Sequence, residues 1–192
     1  MDNEKQWDKE KLFVKTGIVV LTFLALLVLG INYIPKAMSV TNSANNKKLP
    51  IYCVDVDENK VALSFDAAWG NEDTEEILDI LAKYNVKVTF FMTGGWIEKY
   101  PEDVKAIAAA GHDLGNHSEN HKHMSELSIT ECKNEIQTAH DKVKELTGID
   151  MNLFRAPYGD YNNTLIDVTE ELGYHCIQWD VDKLNAKRKH GT

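Results

Sequence analysis

From residue 51 to residue 182 the chain alternates short runs rich in β-branched and aromatic residues with amphipathic helical patterns. This alternation admits few folds. Two neighbouring strands that run parallel need a crossover of about a dozen residues, and a helix supplies it while covering the sheet. IYCVDV and VALSFD read as strands joined by a turn at DENK, and VKVTFFMTG as a buried strand. HDLGNHS, NLFRAPYG and YHCIQWDVD complete the strand-like set. Between them TEEILDILAKYN reads as a helix with Thr74 as N-cap, and YPEDVKAIAAAGH as a helix ended by Gly111. SITECKNEIQTAHDKVKELTG is a long helix in which Ser128 and Glu131 form a capping box and Gly148 is the stop. TLIDVTEELG is the last helix. The expected fold class is α/β, with a mostly parallel sheet.

In parallel α/β folds functional side chains gather at the carboxyl ends of the strands. Here those ends carry Asp66 after VALSF, His117 after HDLGN, Arg155 after NLF, and Asp180 with Asp182 after CIQW. HSENH also sets His121 four residues beyond His117. Two imidazoles at that spacing face the same way if the backbone turns helically between them. Neutral imidazole is the commonest protein ligand for metals. A lone HxxxH pair also occurs in solvated turns. Successive strand ends that carry Asp, His, Arg and Asp set this pair apart.

SFDAAWG, HSENH, RAPYG and WDVD, in that order, resemble the NodB-homology polysaccharide deacetylases of carbohydrate esterase family 4. The resemblance runs from about Lys60 to Asp182, and FDAAWG is most similar to the sporulation-associated branch. It implies a distorted (β/α) barrel that removes N-acetyl groups from a cell-wall or spore-cortex glycan, of the peptidoglycan or chitin type. It implies a divalent metal on His117 and His121, zinc foremost, with cobalt, manganese or nickel as alternatives. Asp66 is the implied general base, Arg155 holds Asp66 ionised and oriented, and Asp182 positions the arginine. Pro157 and Tyr158 shape a loop whose Tyr158 N–H donates to the developing oxyanion, and Ser118 braces the ligand loop.

The chain departs from the family pattern in three places. Ala67 stands where the family has a second acid, its third metal ligand. DKLNA replaces DxxDW, so Asn185 and Ala186 stand for an acid and a tryptophan. The family's final leucine-rich strand and its histidine, the acid for the leaving amine, do not occur before Thr192, and His190 lies in a polar tail. Weak metal binding and poor turnover are the expected consequences. The alternative reading is a catalytically impaired remnant that binds glycan or a partner, and a third is an amidohydrolase acting on a non-sugar amide. Among the other residues, His112 reads as packed and His123 as exposed, while His140, in a charged helix, and His175, at a strand entry, are assigned no role. Trp69 and Trp96 suit either a sugar groove or the core, and Phe65, Phe90 and Phe91 suit the core.

Thr16–Pro35 contains no charged residue and is flanked by Lys15 and Lys36. Twenty helical residues span about 30 Å, the thickness of a bilayer core. The expectation is an uncleaved signal anchor at 16–35. Residues 1–15 then form a cytoplasmic tail, 36–50 a polar linker and 51–192 an extracytoplasmic domain. Four lysines precede the span and three follow it, a slight bias toward that orientation. Residues 1–35 carry four acids and four bases, so the net charge of -9 lies beyond them. An acidic domain has no electrostatic footprint for nucleic acid. Cys53, Cys132 and Cys176 show no zinc-type spacing, and an odd count defines no disulfide framework, so all three are expected to be buried thiols.

Overall fold

The computed structural model describes residues 21–22 and 47–181. Chain contacts divide it into Met1–Lys47 and Lys48–Thr192. The expected span at 16–35 lies outside the described residues apart from Leu21 and Thr22, which are helical. Among the described residues no helix is long and apolar enough to cross a membrane.

The second unit is a five-stranded parallel sheet with helical crossovers. β1 (Ser64–Ala67) leads to α1 (Thr74–Lys83), β2 (Thr89–Met92), α2 (Gly94–Lys99) and α3 (Pro101–Ala109). β3 (Asp113–Asn116), α4 (Ile129–Thr147), β4 (Leu153–Phe154), α5 (Asn163–Glu171) and β5 (His175–Cys176) follow. The strand order is β1-β2-β3-β4-β5, every pair parallel. Each strand therefore lies beside its predecessor and all carboxyl ends share one edge. A doubly wound sheet would instead reverse its order at a switch point.

The core lies where the helices meet the sheet. Phe90, Met92, Leu114 and Phe154 come from the strands, and Ile97, Val104, Ile107, Ile136, Val143 and Leu165 from the helices. The capping box of α4 forms as its sequence implies: Ser128 Oγ accepts from the Glu131 N–H at 3.3 Å, and the Glu131 carboxylate accepts from the Ser128 N–H at 2.9 Å. Gly148 ends the helix at φ 74°, a left-handed conformation natural to glycine.

Several expectations need correction. Thr74 is the first residue of α1, and Asp73 occupies the cap position without a capping hydrogen bond from its side chain. IYCVDV forms no strand: only Ile51 bridges to Ile177, and residues 52–63 lack regular structure. Val54, Val56, Val61 and Leu63 are exposed, so their alternating pattern meets no second layer among the described residues. Helix α2 was not foreseen. It opens on Gly94 and Gly95, which are poor helix formers, and is started by Thr93, whose hydroxyl accepts from the Trp96 N–H at 3.2 Å. Cys53 is exposed rather than buried. Cys132 and Cys176 are buried, and burial pushes the Cys176 thiol up to about 11.

Candidate active site

The strand register builds the floor of the site. Asp66 on β1 pairs with Phe91 on β2, and Phe91 pairs with Gly115 on β3. A Cβ on Gly115 would stand 2.4 Å from the Phe91 ring, so only glycine admits the ring there. The Arg155 guanidinium, just beyond β4, lies 4.0 Å over that ring. From this seat Arg155 donates from one terminal nitrogen to Asp66 Oδ1 at 2.6 Å and from the other to Ser64 Oγ at 2.8 Å. The arginine side chain is 6% exposed and that of Asp66 39%. The pair thus presents a carboxylate to solvent from a buried cationic base. The Trp179 ring stands 5.7 Å from the guanidinium carbon, a neighbour that the sequence reading missed. The Arg155 Nε is buried and has no hydrogen-bond partner among the described residues.

The His117 N–H extends the β3 ladder by donating to the Met92 carbonyl. The His117 side chain is buried, and its Nδ1 meets the Arg155 carbonyl at 2.7 Å. A carbonyl only accepts, so Nδ1 carries the proton and Nε2 keeps its lone pair. Burial holds His117 below the ordinary imidazole value, although the Asp66 charge works in the opposite direction. Burial lowers His121 as well, again opposed by Asp66. The two rings are 5.0 Å apart at 71°.

The backbone between them is strained. Four non-glycine residues among those described have positive φ, and Ser118, His121 and Tyr158 are three of them. Such conformations persist where surrounding contacts over-determine them. Ser118 is held by its N–H to Asn116 Oδ1 and its carbonyl to the Gly94 N–H, both at 2.9 Å. Its hydroxyl accepts from the His121 N–H at 3.1 Å. Pro157 is buried, while Tyr158 is exposed and turns its ring to His121 at 4.6 Å.

Of the residues singled out in the sequence, Asp66, Arg155, His117, His121, Ser118, Pro157 and Tyr158 therefore meet along one edge of the sheet. Asp182 lies outside the described residues, and Asp180 is exposed. Trp69 is 80% exposed, with its ring 5.4 Å from that of His121. Trp96 is buried and its indole N–H donates to the Gly70 carbonyl, which makes it a core residue. His112 is buried and accepts from the Val88 N–H. His123 is exposed and stacks on Tyr158 at 4.3 Å, with Nδ1 3.6 Å from Asp160.

Two neutral imidazoles, one with its tautomer fixed for coordination through Nε2, suit a borderline-soft divalent cation. The His121 Nδ1 is buried without a hydrogen-bond partner among the described residues, and its lone pair is of the kind such an ion would use. Among the described residues no third His, Cys, Asp or Glu joins them as a metal cluster. Ala67 instead packs against the hydrophobic core. The donors therefore fit two positions of a metal site, with the remainder left to solvent or substrate.

The lowered histidines have a thermodynamic consequence. Above their ordinary value of 6.5 both folded and unfolded chains hold these imidazoles neutral. As the pH falls through that value the unfolded chain takes up protons first, so stability declines on acidification. His112, lowered chiefly by burial, adds to the effect. The urea midpoint of the metal-free protein should fall between about pH 7.5 and about pH 5.5. His117→Ala should flatten that slope, and an unchanged slope would mean that His117 titrates normally.

An acid–arginine pair and two imidazoles therefore stand together at the strand ends of a parallel α/β sheet. Residues 54–177 match the polysaccharide deacetylase family model, and the chain belongs to that family. It is 31% identical over 148 residues to the peptidoglycan-N-acetylmuramic acid deacetylase PdaA of Bacillus subtilis, a match covering 77% of this chain and 56% of that protein. It is 36% identical over 128 residues to a peptidoglycan-N-acetylglucosamine deacetylase of Bacillus cereus, covering 67% and 46%. Its fold is similar to that of BA3943 from Bacillus anthracis, a CE4 family pseudoenzyme, with a TM-score of 0.69 and 32% identity over 73% of this chain and 50% of that one. The chain spans about half the length of the curated relatives it matches. The family is thus one of polysaccharide and peptidoglycan deacetylases, and it includes a pseudoenzyme among the folds most like this one.

Proposed function

We propose that the chain carries the site of a metal-dependent N-deacetylase of a cell-wall or spore-cortex glycan, in the distorted (β/α) barrel of its family. The observation that carries this reading is the Arg155–Asp66 pair beside two neutral imidazoles. His117 and His121 would hold the cation, zinc foremost. When bound, such an ion polarises the acetamide carbonyl and lowers the pKa of water. Asp66 is the general base for the attacking water, a role that positioned carboxylates perform well. Arg155 keeps that carboxylate charged and fixed in direction, since a neighbouring guanidinium favours the ionised form. The Arg155 Nε, which has no hydrogen-bond partner among the described residues, is the donor that Asp182 would engage. Tyr158, in left-handed backbone, would aim its N–H at the developing oxyanion. The exposed ring of Trp69 suits the apolar face of a sugar ring.

The test is acetate release from N-acetylated peptidoglycan and from a chito-oligomer, each with added zinc. Release from either supports the reading, and release from non-sugar acetamides alone contradicts it.

A second reading has its own support. Ala67 faces the core and no third protein donor completes the metal site among the described residues. A chain of this kind binds glycan and turns it over poorly. Retention on peptidoglycan without acetate release is the outcome that favours it.

We also propose that residues 16–35 anchor the domain outside the cytoplasm, on the strength of their uncharged length. Protease added to intact protoplasts should digest the domain, and full protection would refute the orientation.

A further inference from the structure

One buried charge has no place in the mechanism above. The core face of α4 comprises Cys132, Ile136, Ala139 and Val143, and Glu135 lies among them, 5% exposed. It is the one acidic residue among the described residues that is buried. A carboxylate withdrawn from water is unfavourable unless its oxygens are occupied, and here both are. Oε2 accepts from the Asn120 backbone N–H at 2.7 Å. Oε1 accepts from Asn120 Nδ2 at 2.9 Å and from Lys122 Nζ at 2.8 Å. Asn120 and Lys122 are the two residues flanking His121.

We propose that Glu135 is a positioning residue for His121. From α4 its carboxylate grips the residues on both sides of that histidine and keeps it in the left-handed backbone that turns its ring to His117. His121 has φ 54°, which disfavours any residue with a Cβ, and no glycine eases the turn. The His121 N–H is engaged by Ser118 Oγ and its ring touches those of His117, Trp69 and Tyr158, while Glu135 holds the residues on both sides of it. A second charge on α4 secures the other half of the loop. Lys142 Nζ donates to Glu119 Oε1 at 2.6 Å, and the Glu119 carbonyl accepts from the Gly95 N–H at 3.2 Å. Helix α4 is therefore the frame on which the His117–His121 loop is mounted. Its metal consequence rests on the reading of His117 and His121 as ligands, whereas its backbone consequence does not. A glutamine at 135 keeps the shape but loses the charge and sets an NH2 against one of three donors. Outer partners of metal ligands typically change affinity about 10- to 100-fold when removed.

The test uses the full chain with Glu135→Gln, Lys122→Met, Asn120→Ala and, as a control on the exposed side of α4, Glu145→Gln. Zinc affinity is read by competition with a chromophoric chelator, and the His121 backbone in the metal-free protein from its HN–Hα coupling and carbon shifts. Glu135→Gln should weaken zinc binding by about 10- to 100-fold and move His121 out of the left-handed region. Lys122→Met should weaken zinc less, and Glu145→Gln should change neither quantity. A folded Glu135→Gln protein with unchanged zinc affinity and unchanged His121 backbone overturns the proposal. If Glu135→Gln does not fold, unchanged zinc binding in both Lys122→Met and Asn120→Ala overturns it. If the wild type binds no zinc, the metal reading fails alone. The His121 backbone in the variants then decides the role of Glu135, and a retained left-handed conformation rejects it.

Discussion

His117→Ala is expected to abolish zinc binding while His123→Ala leaves it intact. The two rings flank the same loop and differ in what surrounds them. His117 is buried at the end of β3, with Nδ1 committed to the Arg155 carbonyl and Nε2 left as a donor. Truncation removes one of two imidazoles that converge, and among the described residues no third donor group replaces it. It also strips the Arg155 carbonyl of its N–H partner, a loss of about 1–3 kcal/mol where the group stays buried. His123 is exposed, stacks on Tyr158 and faces Asp160. Its truncation removes an outward contact only. Metal content by elemental analysis of purified protein separates the two, and equal loss in both variants would show that the site is misassigned.

Arg155→Met is expected to leave the domain folded and to reduce acetate release by about 100-fold or more, the lower end of what a positioned base contributes. Methionine keeps an unbranched apolar stem and removes the guanidinium that lies over Phe91. Removing one partner of a buried ion pair costs about 3–5 kcal/mol only where the charge left behind stays out of water. The orphaned partner is Asp66, whose side chain is 39% exposed and can be hydrated. What is lost is the charge and the fork that aims the carboxylate. Arg155→Lys should recover part of the rate at most, since an ammonium cannot reach Asp66 and Ser64 in the same geometry. A melting temperature near that of wild type together with wild-type turnover would show that Asp66 needs no partner.

Most of the site's polar residues could be read from the chain because each stands at a strand end, where position in the sequence translates directly into position on the sheet edge. The termini of α4 were legible for a similar reason: Ser128, Glu131 and Gly148 act within one turn of themselves. The floor was not legible. That Gly115 makes room for Phe91, and Phe91 for Arg155, depends on the register of three strands, which no local pattern encodes. Glu135 escaped notice because KNEIQ reads as the charged face of a helix, and only the fold reveals that this acid points inward. The opposite error occurred at IYCVDV, where an alternating pattern promised a strand and the fold pairs only Ile51. Alternation reports what a segment could bury, and the neighbouring layer decides whether it does.

The proposed role of Asp66 as the base of a zinc-dependent deacetylation is tested most directly by acetate release from N-acetylated peptidoglycan by wild type and Asp66→Asn. The wild type should release acetate with zinc present, lose that activity on chelation and regain it on zinc addition. Asp66→Asn should bind zinc and glycan as wild type does and release acetate about 10²- to 10⁴-fold more slowly. Equal rates in the two proteins, or no release by wild type at any zinc concentration while it still binds the glycan, would contradict the account.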